Sequence, residues 1–155
     1  MLMARLPLKI RAMDDQLRQA YSSALYHFDA PDGPLLLQVD NPSAALRRLM
    51  LANGQSCAVA ITAWNPGSTL RDDDANRRAQ QDLEQELSAM ALTCIPGRHE
   101  DPAGQWPTEI SVLVLGLPLS EAHRLAARFG QLAFLWSDHT GTPLLIETGV
   151  NPAAS

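Results

Sequence analysis

The stretch Ile61 to Ser68, ITAWNPGS, followed at once by TLRDDDANRRAQQDLEQEL, decides how the rest of the chain is read. Ser56 to Ala63 is short, apolar and bounded by turn residues, the mark of an inner strand. A helix is expected behind it from about Asp74 to Ala91, with Ala79, Leu83, Leu87 and Met90 on the buried stripe. Between the two, Asn65-Pro66-Gly67-Ser68 has type II turn chemistry: proline presets φ, glycine supplies a positive φ, and Asn65 can bond back to the backbone. Such a strand-to-helix corner is where sheet proteins place ligands.

Outward from this corner the punctuation is regular. Leu17, Ala20, Tyr21, Ala24 and Leu25 recur three and four apart, giving a first helix capped by Asp14 or Asp15. LYHFDA and PLLLQVD flank Asp32-Gly33 as two strands of a hairpin, with Pro31 and Pro34 predicting a connection longer than the tightest class. Asn41-Pro42-Ser43 opens a second helix, with Pro42 at its first position, and Asn53-Gly54 closes it. LTCI reads as a strand and PGRHEDPAGQWP as a long loop. Glu109 to Leu115 is another inner strand, Ser120 caps a last helix that ends at Gly130, and QLAFLW and PLLIET form a final hairpin around SDHTG.

The order αββαβαββαββ argues for an α/β (α+β) fold: one domain over residues 14–148, a mixed β-sheet of about six or seven strands covered by helices. Residues 1–13 read as a flexible arm and 149–155 as a frayed tail.

Bulk composition excludes several function classes. The chain has 155 residues, 46% hydrophobic and 19% charged, enough to bury one core. A net charge of -5 and a pI of about 5.2 argue against non-specific nucleic-acid binding. The longest apolar run, Val112 to Leu119, is too short to cross a bilayer, and MLMARLPLKIRAM lacks the apolar core of a signal peptide. Cys57 and Cys94 lack the close spacing of a zinc or redox pair, so reduced thiols in a cytoplasmic protein are expected.

The chemistry-bearing candidates are few. Asp72, Asp73 and Asp74 at the start of the long helix satisfy its free amides and repel a phosphate, and no Gly-Lys-Ser/Thr follows the turn. Those carboxylates match no calcium loop, and His27, His99, His123 and His139 are scattered without metal spacing, so no metal or cofactor is expected. Glu109 and Ser111 share one face of a strand. Glu109 either accepts bonds from Ser68, Asn76 or loop amides and pins the turn, or acts as a catalytic carboxylate whose pKa burial raises. Arg128, in the last turn of its helix, either offsets the helix dipole or reaches an anionic ligand near Gln131; Arg124 shares its flank and could join it in a docking face.

Several of these motifs recur together: Ala63-Trp64-Asn65-Pro66, then Asn76 in the helix, then Trp106-x-x-Glu109-x-Ser111, then Phe129-Gly130-Gln131. Over roughly residues 20–147 the set resembles a bacterial family of domains of unknown function, DUF3293. The resemblance implies a single small α/β domain and no assigned activity. Its polar motif positions fall on Asn65, Ser68, Asn76, Trp106, Glu109, Ser111, Arg128 and Gln131. Leu132 stands where the family usually has asparagine and Ile110 where it has proline.

Two main readings follow. One is a binding or accessory domain whose pocket at a sheet end takes a small polar ligand, or which serves a protein partner. The other is an enzyme acting on a small polar or nucleotide-like substrate, with Glu109 as acid or base.

Overall fold

A computed structural model describes residues 13–150; the expectations of an arm over 1–12 and a tail over 151–155 lie outside the described residues. Helix α1 spans Asp15–Ser23, with the Asp14 carboxylate accepting from Leu17 N at 2.8 Å. Strands β1 (Leu25–Ala30) and β2 (Gly33–Leu37) follow, then α2 (Ala44–Ala52), β3 (Ala58–Ile61) and the long helix α3 (Asp73–Ala89). Strands β4 (Thr93–Glu100) and β5 (Glu109–Leu115), helix α4 (Leu119–Arg128), and strands β6 (Ala133–Ser137) and β7 (Leu144–Glu147) complete the αββαβαββαββ order.

The seven strands form one sheet in the order β2-β1-β4-β5-β3-β6-β7. Every ladder is antiparallel, whereas mixed strand directions were expected. The reason lies in the crossovers. Helix α3 does carry the chain from β3 to a strand of the same direction, β4, but β5 is inserted between them; β3 is likewise inserted between β5 and β6. Helical connections therefore join like-directed strands without ever pairing them.

Both faces of the sheet are covered. Tyr26, Phe28, Ile95, Leu113 and Leu115 pack with Leu46 and Met50 of α2 on one face. Val59, Ile61, Val112 and Val114 pack with Leu83, Leu87, Ala122 and Leu125 of α3 and α4 on the other. Period-two alternation on β5 sends Leu113 and Leu115 to the first face and Val112 and Val114 to the second, and both sets are buried.

Local chemistry departs from expectation at five points. Ser43, not Asn41, caps α2 by accepting from Leu46 N at 3.0 Å, which leaves Pro42 outside the helix. Asp72 caps α3 one residue earlier than the sequence pattern placed its start. Pro118 takes the cap position of α4 in place of Ser120, without a side-chain bond. Ala30 pairs directly with Gly33, so the first hairpin closes on Pro31-Asp32 and Pro34 sits on an edge strand, where its missing donor is harmless. Finally, PGRHE is strand rather than loop: β4 runs on to Glu100 and pairs His99 with Glu109.

That last extension depends on Gly97. A Cβ there would lie 2.0 Å from the carbonyl oxygen of His27 and 2.4 Å from Phe28 Cδ1, so only glycine lets β4 lie against β1. The Gly97→Ala substitution is expected to destabilise the protein by at least about 3 kcal/mol, the upper end of ordinary overpacking, because backbone rather than a flexible side chain must yield. Urea unfolding monitored by far-ultraviolet circular dichroism measures the loss.

Candidate functional site

The alternating directions bring the end of β3, the end of β4 and the starts of β1, β5 and β6 to one end of the sheet. The chain leaving β3 is held there by α3. Ala63 N donates to Gln80 Oε1 at 2.9 Å and Asn65 N donates to Asn76 Oδ1 at 2.9 Å. Two helix side chains one turn apart thus replace the strand partner that residues 63 and 65 lack. Thr62 Oγ1 donates to the carbonyl of Ile110 at 2.6 Å and prolongs the contact with β5.

The Asn65-Pro66-Gly67-Ser68 turn closes with Ser68 N donating to the Asn65 carbonyl at 3.0 Å, and Gly67 has the positive φ expected of its position. Asn65 and Ser68 are also left-handed, with φ of 45° and 57°, a conformation costly for a residue with a side chain. Side-chain bonding offsets that cost at Asn65. Its Nδ2 donates to Glu109 Oε2 at 2.6 Å, and its Oδ1 accepts from Asn76 Nδ2 at 2.9 Å and Arg71 N at 3.1 Å. Pro66 lies against Gly130, where an added Cβ would come within 2.7 Å of Pro66 Cβ, and Gly67 N donates to the Gly130 carbonyl at 2.7 Å. The turn is clamped between α3, β5 and the end of α4.

Glu109 is the centre of the cluster and only 6% exposed. Its Oε2 accepts from Asn65 and from Trp106 Nε1 at 3.1 Å, and its Oε1 meets His99 Nε2 at 2.9 Å. The partners are therefore side chains, not the loop amides, Ser68 or Asn76 named from sequence. Asp101 does the work on the loop, accepting from Ala103 N, Gln105 N and Trp106 N at 2.9–3.1 Å and so aiming Trp106 at Glu109.

Beside this cluster lies a cavity of about 350 Å³. Its apolar wall comes from Leu17, Ala20 and Ala24 on and just after α1 and from Tyr26 on β1; its polar wall includes Asn65, Ser68, His99, Trp106, Glu109 and Gln131. Helix α1 lies across this end of the sheet. Arg18 reaches Glu147 of β7 at 2.7 and 3.0 Å, and Tyr21 Oη is 3.4 Å from Ser68 Oγ. Tyr26 is buried, tilts over His99 with ring centroids 5.3 Å apart and donates its hydroxyl to the carbonyl of Tyr21 at 3.2 Å. Burial, followed by the nearby Tyr21 and the Glu109 carboxylate, pushes its phenol far above the usual 10.0.

Among the sequence candidates, Asn65, Ser68, Trp106, Glu109 and Gln131 share the cavity. Asn76 stands behind Asn65 and supports it. Ser111 is buried on the same strand face as Glu109, but its Oγ has no partner and does not reach the cavity. Arg128 is not part of the site: it pairs with Glu86, its guanidinium stacks on Phe129, and it borders a shallow surface dip on the α3–α4 side. Arg124 pairs with Glu121, so the anticipated cationic face is neutralised by its own carboxylates. His99 was missed by sequence reading because PGRHE reads as loop; the signal available was that a strand ending in His-Glu, folded back through Asp-Pro-Ala-Gly, brings His99 opposite Glu109.

Other chemistries lack a setting. Cys57 and Cys94 are unpaired, and burial pushes both thiols up, away from thiolate reactivity. Among the described residues no group of three or more His, Cys, Asp or Glu is placed to hold a metal ion, and no helix is long and apolar enough to cross a membrane.

Residues 61–134 match the model of a family described as a protein of unknown function, DUF3293. This match supports the assignment of the chain to that family. No curated protein and no solved structure matches it. The matched segment contains the turn, His99, Trp106, Glu109 and Gln131, which belong to the polar wall of the cavity, and Asn76 behind that wall; α1 and β1, which supply the apolar wall, precede it. Of the two departures from the family pattern, Leu132 is buried and Ile110 is 43% exposed, and neither lines the cavity.

Two tests follow from this geometry. Asn76→Ala leaves the Asn65 amide and one side-chain oxygen short of partners and is expected to cost about 1–3 kcal/mol, read from the urea midpoint. Tyr26 makes the protein lose stability in alkali. Its phenol ionises near pH 10 only in the unfolded chain, so its contribution is fully present below that pH and falls as pH rises above it. Thermal melts from pH 8 to 11 should show a decline that Tyr26→Phe reduces.

Proposed function

We propose that this protein is a small-molecule-binding domain whose ligand sits between α1 and the polar cluster around Glu109. One observation carries the reading: a cavity of about 350 Å³, within the size range of small-ligand sites, is apolar along one wall and hydrogen-bonding along the other. The polar wall is organised by buried side chains bonded to one another, so it keeps its shape without a ligand. Such preorganisation reduces the ordering cost of binding.

The carboxylate chemistry favours binding over catalysis by Glu109 itself. A general base needs a free lone pair facing its substrate, and Asn65, Trp106 and His99 already take three of the roughly four lone-pair sites of the Glu109 carboxylate. The net charge of -5 and, among the described residues, a cavity lining without lysine or arginine disfavour phosphate-bearing or nucleic-acid ligands. Two unpaired cysteines and an acidic pI suit a reducing, cytoplasmic setting.

Blocking the cavity from the α1 side tests the proposal without disturbing the polar wall. In a thermal-shift screen of neutral, cationic and anionic metabolites, a ligand at about 100 times its Kd contributes about 2.7 kcal/mol, which corresponds to a rise of roughly 5–10 °C in a domain of this size. Ala20→Trp, at an exposed position on the lining, is expected to abolish that rise while leaving the ligand-free melting temperature unchanged. An equal rise in both proteins would place binding elsewhere.

A further inference from the structure

The cavity wall holds one basic group that sequence reading passed over. His99 is partly buried, its side chain 13% exposed, and its Nε2 is committed to Glu109. The direction of that bond follows from the rest of the cluster. Glu109 Oε2 accepts from both Asn65 Nδ2 and Trp106 Nε1, charge-assisted bonds that favour the carboxylate form. A carboxylate is acceptor-only, so in this form Oε1 accepts too and His99 donates from Nε2. In the neutral ring this leaves Nδ1 with a lone pair. Nδ1 has no hydrogen-bond partner among the described residues, yet it is not sealed in the interior, and the residue lines the cavity.

We infer that His99 Nδ1 is the polar anchor of the cavity and that the ligand is a small molecule with an apolar body and an O–H or N–H donor, such as a phenol or an arylamine. This rests on the binding function proposed above and names its ligand class. Tyr26 packs against the imidazole and, with Leu17, Ala20 and Ala24, forms the apolar wall, so a ring can lie against that wall with its donor directed at Nδ1. Among the described residues, the ionisable side chains along the lining besides His99 and the tyrosines are carboxylates, Glu100, Asp101 and Glu109, which repel an anion. Glu109 fixes which nitrogen of His99 accepts, as an outer carboxylate fixes the tautomer of a histidine that binds a metal.

Side-chain nitrogen NMR of the full chain provides the test, with phenol, anisole and benzoate as probes. Anisole has the same ring as phenol without the donor, and benzoate replaces the donor with a charge. The expected result is a free-protein His99 protonated at Nε2, assigned by its loss in His99→Phe, whose Nδ1 resonance moves when phenol is added. Phenol should bind about tenfold more tightly than anisole, the worth of one hydrogen bond, and benzoate more weakly than either. His99→Phe should make phenol and anisole equal.

A wild-type ring protonated at Nδ1 overturns the inference with no substitution needed. So does equal binding of phenol and anisole to the wild type, or preferred binding of benzoate, while the pocket itself stands. If none of the three binds the wild type at millimolar concentration, the pocket reading and the ligand class both fall.

Discussion

The short bond between Asn65 Nδ2 and Glu109 Oε2 joins two segments that would otherwise be incompatible with burial. Asn65 sits in a left-handed turn and Glu109 carries a carboxylate at the entry of an inner strand; each is unfavourable alone. Together they resolve each other's cost, because the asparagine amide donates to the carboxylate while its oxygen and backbone amide engage Asn76. Removing one member of a buried, bonded cluster leaves the others desolvated without partners, which costs more than the bond itself contributes. This asymmetry explains why so many polar groups occupy one sheet end.

The cluster also determines where open space can exist. Trp106 and His99 both lean on Glu109, which draws the β4–β5 hairpin end into the site, while Gly130 and Gln131 hold the opposite side through Gly67 and the Trp64 carbonyl. Helix α1 closes the top by bridging to β7 through Arg18 and Glu147. Each side chain of that pair is about 40% exposed, so the bridge contributes little energy and serves mainly to orient the helix. The apolar wall is therefore carried by the least deeply anchored helix and the polar wall by the most constrained part of the chain.

The sequence made the order of elements legible because helix and strand periods differ and the turn residues fall between them: the spacing of Leu83 and Leu87, the run through Val112 to Leu115, and the capping aspartates are local signals. It also singled out Asn65, Asn76, Trp106, Glu109 and Gln131, since uncommon polar residues at strand ends need partners. It misjudged Arg128 because a cation near a motif glutamine looks like a clamp until the facing Glu86 on α3 is known. It missed His99 because proline and glycine usually break a strand, and only the close approach of β1 gives Gly97 a reason to be in one.

What the sequence by itself determined is therefore the αββαβαββαββ order, the buried faces and the family to which residues 61–134 belong. Tertiary structure alone decided that all ladders run antiparallel, that His99 stands opposite Glu109, and that the two walls of the cavity meet. The physical reason is range. Helix and strand signals arise from neighbours a few residues apart, whereas strand insertion and the pairing of Asn65 with Glu109 depend on contacts between distant segments, which no local pattern records.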